Sequence, residues 1–242
     1  MLFWICWILI ALAGGFTQTV TGFGSALVMM LVLPQFKTVV QSAAIASGTS
    51  FFLSLFLTWN YRKKLNFRKV LPPVILYLAA SLTTLQFVQK IDLKLMGILF
   101  GGFLTLLGLY YLFFADKLQV KDTPLATALC SLLSGVCAAC FGVGGPLMAL
   151  LFLKKFPERE EYSANLQLLF LFTNLMNTVA RVMNGIFTLD LIPAVLVGAA
   201  AIWGGKKLGL AAAEKLSADR FRKSVYLLVM VSGLLTLVQN IG

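Results

Sequence analysis

Two short glycine-rich stretches hold the residues best suited to bind a ligand. The first reads Thr21-Gly22-Phe23-Gly24-Ser25-Ala26-Leu27, the second Phe141-Gly142-Val143-Gly144-Gly145-Pro146-Leu147. They stand 120 positions apart in a chain of 242 residues, one in each half, and each interrupts a long apolar run. Glycine there breaks a helix and lets backbone approach another group closely. The helix that resumes begins with N–H groups that lack intrahelical acceptors and carry partial positive charge. The N–H groups of Phe23, Gly24, Ser25, Gly144 and Gly145 are therefore candidates to hold an anion without a buried lysine or arginine. Pro146 suits the first turn of a new helix, where its missing N–H costs nothing.

Side-chain donors extend both motifs. Thr17, Gln18, Thr19, Thr21 and Ser25 surround the first. The apolar segment after each motif adds more: Gln41, Ser42, Ser47, Thr49 and Ser50 in one half, Asn165, Gln167, Asn174 and Asn177 in the other. The candidate substrate-binding set is Gln18, Thr21, Gly22, Phe23, Gly24, Ser25, Gly142, Gly144, Gly145, Pro146, Asn165 and Gln167. The competing explanation is that the glycines only permit tight helix packing. Recurrence in two overlong segments favours a site, because interrupted apolar segments at matching positions of two halves point to a transporter's binding site.

Other chemistry is thinly represented. None of the nine acidic residues lies in the middle of a long apolar run, and the chain has no histidine. A side-chain proton relay or hydrolytic dyad is therefore not expected, and neither a metal nor a cofactor is expected. Cys6, Cys130, Cys137 and Cys140 all lie in apolar stretches, which is not a disulfide framework. Cys137-x-x-Cys140 has redox or metal spacing but no second pair; packing is its default role. Arg181 is read as ending its segment, its side chain reaching the headgroups. Trp59, Tyr110 and Tyr111 are read as interfacial belt residues.

Composition sets the environment of these motifs. Hydrophobic residues make up 60% of the chain and charged residues 12%, against about 25% charged in soluble domains. A soluble fold of this length cannot hide so much apolar side chain, so the reading is one integral membrane domain over residues 1–242. The net charge of +11 comes from loops between segments and fits a cytoplasmic loop bias and anionic headgroups. Nucleic acid is excluded as a partner. The start, Met1-Leu2-Phe3-Trp4, reads as a retained membrane segment, not a signal peptide.

Charges divide the apolar sequence. Residues 1–36 and 123–153 are each too long for one crossing, which needs about 20 residues. Residues 38–61, 71–89 and 95–115 follow the first of these runs, and 162–180, 189–205 and 224–242 follow the second. The halves, 1–120 and 121–242, meet at a loop spanning 116–122. At the same offset Phe52 matches Phe172, Thr58 matches Thr178 and Pro73 matches Pro193. Gly102-Phe103-Leu104-Thr105-Leu106 matches Gly233-Leu234-Leu235-Thr236-Leu237, which puts extra residues of the second half around Lys206 to Ser217.

If each overlong run is a hairpin that enters and leaves on one side, each half has three crossings and the halves are inverted. Of the 20 Lys and Arg residues, sixteen then fall on one side and only Lys37, Lys90, Lys94 and Arg181 on the other. Eight simple crossings give a much poorer division. The positive-inside rule thus favours an all-α polytopic fold of two inverted repeats, each a re-entrant helical hairpin plus three crossing helices, with both termini outside.

The pattern Thr21-Gly22-Phe23-Gly24, with its apolar run to Leu33-Pro34, and Gly142-x-Gly144-Gly145-Pro146-Leu147 resemble the sulfite exporter TauE/SafE (TSUP) family of membrane transporters, over essentially the whole chain. The resemblance implies movement of small sulfur-containing anions: sulfite, thiosulfate, sulfoacetate or other organosulfonates. The residues themselves indicate an anion site without selecting sulfur. The expected partners are a small anionic substrate, the lipid bilayer of the cell inner (plasma) membrane and a second copy of the chain in a homodimer. Two other function classes stay open at this point: an intramembrane thiol relay through Cys137 and Cys140, and a membrane partner subunit that moves nothing itself.

Overall fold

Among the described residues the uncharged runs form helices, because a backbone with no water to bond must satisfy itself. The computed structural model describes residues 2–113 and 122–212, together with 230, 231, 233, 234, 236–238 and 240. Nine helices are described: α1 (Leu2–Thr21), α2 (Ser25–Met29), α3 (Val39–Asn60), α4 (Phe67–Val88), α5 (Leu93–Phe113), α6 (Pro124–Phe141), α7 (Gly145–Lys155), α8 (Arg159–Met183) and α9 (Ile192–Ala212). The described residues between 230 and 240 are helical too, and among the described residues there is no strand. Seven of the described helices are long and apolar enough to cross a membrane. The chain is a multi-pass, all-α membrane protein.

Boundaries follow local capping chemistry more than charge. Thr38 and Gln41 form a reciprocal capping box that starts α3, which satisfies two orphan donors at once. Thr123 caps α6 with Pro124 in its first turn. The segment expected to open at Leu71-Pro72-Pro73 starts earlier, at Phe67, because the Asn66 side chain accepts from Lys69 N–H. Both prolines then lie inside α4. Arg181 likewise does not end α8, nor do Lys206 and Lys207 end α9. The expected loop at 116–122 lies outside the described residues except for Asp122, as does most of the basic stretch after Ala212.

The overlong runs fold into bent pairs. α2 turns back along α1, so that a Cβ on Gly14 would lie 3.0 Å from the Ser25 carbonyl oxygen. The rings of Phe3 and Phe36, at the two open ends of this hairpin, are 5.4 Å apart. In the second hairpin Lys155 and Asp122 bridge the open ends at 3.1 Å. The end of the second hairpin also meets the α3–α4 connection through Lys64 and Glu158 at 3.4 Å. Lys37, just past the first hairpin, pairs with Asp190 before α9 at 3.8 Å. These exposed pairs add little stability, but they show which connections lie together.

α1 packs against α9, α6 against α4, and α3 against α8. Tight approach depends on glycines outside the two motifs. A Cβ on Gly15 would sit 2.4 Å from the Ile202 oxygen, and one on Gly135 would sit 2.3 Å from the Tyr77 oxygen. Small residues that let helix backbones meet are the usual membrane packing device. Trp7 fixes α1 to the start of α9 by donating to the Ala194 carbonyl at 2.8 Å.

Candidate functional site

The first motif is built around Gln18, which α1 presents one turn before its end. Its Nε2 donates to Gln167 Oε1 at 2.8 Å, while its Oε1 accepts from the Ser25 N–H at 3.3 Å and from the Ser25 hydroxyl. Ser25 has one hydroxyl hydrogen and gives it to Gln18. The 2.9 Å contact with Ser50 must therefore use the Ser50 hydrogen. Gln167 completes the network by donating to the Gly22 carbonyl at 2.7 Å. The Thr21 hydroxyl reaches the carbonyls of Thr17 and Phe23 at 2.9 and 2.7 Å. Gly22 and Gly24 have φ of 87° and 105°, where a side chain costs about 1–2 kcal/mol. The side chains of Gln18, Thr21, Ser25, Ser50 and Gln167 are buried, where polar atoms need such partners.

The second motif makes the same bend with different material. Gly142, at φ 70°, closes α6 and donates to the Ala138 carbonyl at 2.9 Å. Gly144 then precedes α7, with Pro146 in its first turn. A Cβ on Gly144 would lie 2.3 Å from the Tyr77 hydroxyl and 2.6 Å from the Ser134 carbonyl oxygen, so only glycine fits. Gly145 faces the other hairpin: its Cβ would stand 3.4 Å from Phe23 Cβ and 3.4 Å from Phe170 Cζ. Among the described residues no acceptor takes the N–H groups of Gly144 and Gly145.

The two motifs meet. A cavity of about 30 Å³ is lined by Gln18, Gly24, Ser25 and Ser50 on one side and by Gly142, Gly144, Gly145 and Pro146 on the other, with Tyr77, Phe170 and Asn174 closing it. That is room for roughly two waters, so the motifs approach each other closely at this point. Of the remaining sequence candidates, Thr21, Gly22 and Phe23 are buried at the turn behind the cavity wall, and Gln167 supports Gln18 from α8. Asn165 stands apart: it accepts from Asn66 N–H at 2.6 Å and donates to the Lys64 and Glu161 carbonyls, which ties α8 to the α3–α4 connection. Thr17 and Thr19 turn back onto carbonyls of α1.

Tyr77, Ser50, Phe170 and Asn174 line the centre although the sequence reading did not select them. Ser50 and Asn174 carried a signal, being polar residues in the segments after each motif. Tyr77 and Phe170 carried none, since aromatic residues are common in apolar helices. Arg181 departs most from expectation. It does not reach the headgroups: it is 0% exposed, and it donates to the Ser47 hydroxyl and to the Ala138 and Ala139 carbonyls at 2.8 and 3.0 Å. Its position as the sole charge between Glu161 and Asp190 was the available clue.

The cysteines lie off this centre. All four are free thiols. Cys137 borders a separate apolar cavity of about 230 Å³ with Phe103, Leu106, Leu107 and Tyr110, behind the Val143–Pro146 wall. Among the described residues no three His, Cys, Asp or Glu side chains gather to hold a metal.

A protein-family model described as Sulfite exporter TauE/SafE matches residues 7–236, which takes in both motifs, most of α1 and all of α2 to α9. Comparisons with curated proteins and with solved structures return no match.

Proposed function

The chain belongs to the sulfite exporter TauE/SafE family of membrane transporters, and from that premise we propose that it moves a small sulfur-containing anion held between its two glycine hairpins. The anion would be sulfite, thiosulfate, sulfoacetate or another organosulfonate. The observation that carries this reading is the small cavity that both motifs line together. Ser25 and Ser50 offer hydroxyls, Gln18 and Asn174 offer amides, and Gly144 and Gly145 offer backbone N–H groups. Together these are hydrogen-bond donors without a carboxylate, which suits an anion.

Transport in this reading is an exchange of partners. With the cavity at this size, the Ser25 N–H and hydroxyl are satisfied by Gln18 Oε1. A bound oxyanion takes over those donors, and the cavity widens as the two hairpins part. Rocking of the halves then opens the site to each side in turn. A negative interior favours anion export by about 2.3 kcal/mol per charge per 100 mV, so export needs no coupled ion.

The same reading takes residues 1–120 and 121–242 as inverted repeats of one transport domain. It is supported by the paired open ends of each hairpin and by the matching partners α1 with α9 and α6 with α4. The described residues of 230–240 support a sixth full crossing: Gly101 and Gly108 of α5 approach Leu237 and Met230, an antiparallel order. With the basic connections inside, both termini lie outside.

The test is flux in liposomes that contain purified protein, with sulfite, thiosulfate, sulfoacetate, sulfate and chloride as solutes. The sulfur oxyanions should move at least ten-fold faster than chloride. No movement of any solute by folded protein would reject transport and favour a partner-subunit role. A side-sensitive reporter at each terminus tests the orientation; a cytoplasmic signal from both would overturn it.

A further inference from the structure

Resting on the transport reading above, we infer that Arg181 is the counter-charge of the anion site, setting its preference for doubly over singly charged ligands. Arg181 is wholly buried, and among the described residues no carboxylate pairs with it. Its partners are the Ser47 hydroxyl and the carbonyls of Ala138 and Ala139, and its Nε has none. A full positive charge is costly in such a place unless something neutralises it. The carbonyls that hold it belong to the last turn of α6, the negative end of that helix. They supply only part of the compensation.

The geometry points this charge toward the cavity. Ala138 is the residue whose carbonyl also accepts from Gly142, a lining residue. Ser47 stands one turn from Ser50 on α3, and Arg181 two turns from Asn174 on α8; both Ser50 and Asn174 line the cavity. Seven residues of helix span about 10 Å. Taking that length as the order of the charge-to-ligand distance, the guanidinium acts on the ligand through its field, and among the described residues no carboxylate pairs with it. Arg181 is thus a positioning residue that keeps the closed site electropositive, and an arriving anion completes the charge balance that the protein leaves open. This departs from the expectation that backbone dipoles do the work alone.

The experiment measures sulfite flux in liposomes and its inhibition by thiosulfate, a dianion, and methanesulfonate, a monoanion. At ~10 Å and an effective dielectric near 20, removing one charge costs roughly ten-fold in affinity per ligand charge. Arg181→Gln should therefore weaken thiosulfate about ten-fold more than methanesulfonate, with maximal flux per folded molecule changed less than apparent KM. Arg181→Lys, which keeps the charge, should hold the inhibition ratio within about three-fold of wild type. Ser47→Asp leaves the guanidinium in place but neutralises it, and should lower the ratio as Arg181→Gln does. It decides the matter if Arg181→Gln does not fold. Wild-type flux with an unchanged ratio in the folded Arg181→Gln or Ser47→Asp protein overturns this inference and leaves transport standing. Wild-type protein that moves none of the anions overturns the transport reading, and this one with it.

Discussion

The two hairpins make one bend from unlike materials. The first fills its side of the cavity with side chains: Gln18, Ser25 and Ser50 are linked to each other and to Gln167. The second fills its side with backbone, from Gly142 to Pro146, and the last turn of its α6 holds the Arg181 guanidinium of α8. The positions that would pair by the 120-residue offset show the exchange. Ser25 corresponds to Gly145 and Ser50 to Phe170, so a hydroxyl pair in one half stands where a glycine packs on a ring in the other. On the proposed repeat, the two halves thus carry different chemistry at positions that share a place in the fold. One half offers directional donors and the other close approach and field. A small anion with several oxygens can use both at once.

That contrast predicts different sensitivities, and the largest belongs to the backbone side. Gly144→Ala would drive a Cβ into the Tyr77 hydroxyl and the Ser134 carbonyl. The carbonyl cannot move without α6, so about 3 kcal/mol of destabilisation follows, with flux lost. Gly145→Ala, one residue on, meets only ordinary contacts and should fold normally. Thermal unfolding in detergent beside liposome flux checks the pair. Equal tolerance of both substitutions would mean that the second hairpin does not bind through tight backbone approach.

Next comes the hub of the side-chain half. Gln18→Leu strands the Ser25 donors and the Gln167 carbonyl in an apolar interior, at about 1–3 kcal/mol for each group left unpaired. Flux should fall at least ten-fold in protein that still folds. Gln18→Glu is the sharper variant: its carboxylate keeps the Ser25 donors and becomes a tethered competitor of the substrate. It should raise apparent KM well beyond Gln18→Leu while folding better. Substrate affinity unchanged in Gln18→Glu would show that the Ser25 donors are not those the anion takes.

How far this arrangement was legible depends on what kind of force placed each residue. The apolar helices and their order were readable, because apolar length is a property of the sequence itself. The exact ends were not: Asn66 starts α4 ahead of two prolines through one side-chain bond, and Lys206 continues α9 because it finds the Phe56 carbonyl and Asn60 at 3.4 and 3.3 Å. Glycine breaks at 22–24 and 142–144 were readable because their composition leaves few other uses. Asn165 was not placeable from sequence, because an amide in an apolar helix looks the same whether it faces a ligand or another connection. Arg181 was misjudged for a related reason. Snorkelling is the default for an arginine near a helix end, and only the tertiary contact with α6 reveals that it turns inward.

A smaller effect tests the reach of the side-chain network. Ser50→Ala removes one hydrogen bond, the one Ser50 gives to Ser25. The loss should be about 1 kcal/mol in stability and a few-fold in apparent KM, since Gln18 still holds the Ser25 hydroxyl. An effect as large as that of Gln18→Leu would make Ser50, rather than Gln18, the centre of the polar half.

The smallest expected effect is at the thiols, and it bears on whether the second half has any side-chain chemistry of its own. Cys137 and Cys140 lie one turn apart in α6, close to its end, but neither lines the shared cavity. Cys137 faces an apolar space beyond the Val143–Pro146 wall, where a thiol behaves as a small hydrophobe. Cys137→Ala and Cys140→Ala, singly and together, should change sulfite flux by less than about two-fold and stability by roughly the area each sulfur buries. Family membership already points to a transporter rather than an enzyme, and normal flux in the double variant would leave the thiol relay without a function to explain. Loss of flux in folded double variant would reverse the contrast between the hairpins, placing side-chain chemistry on the half assigned here to backbone and charge.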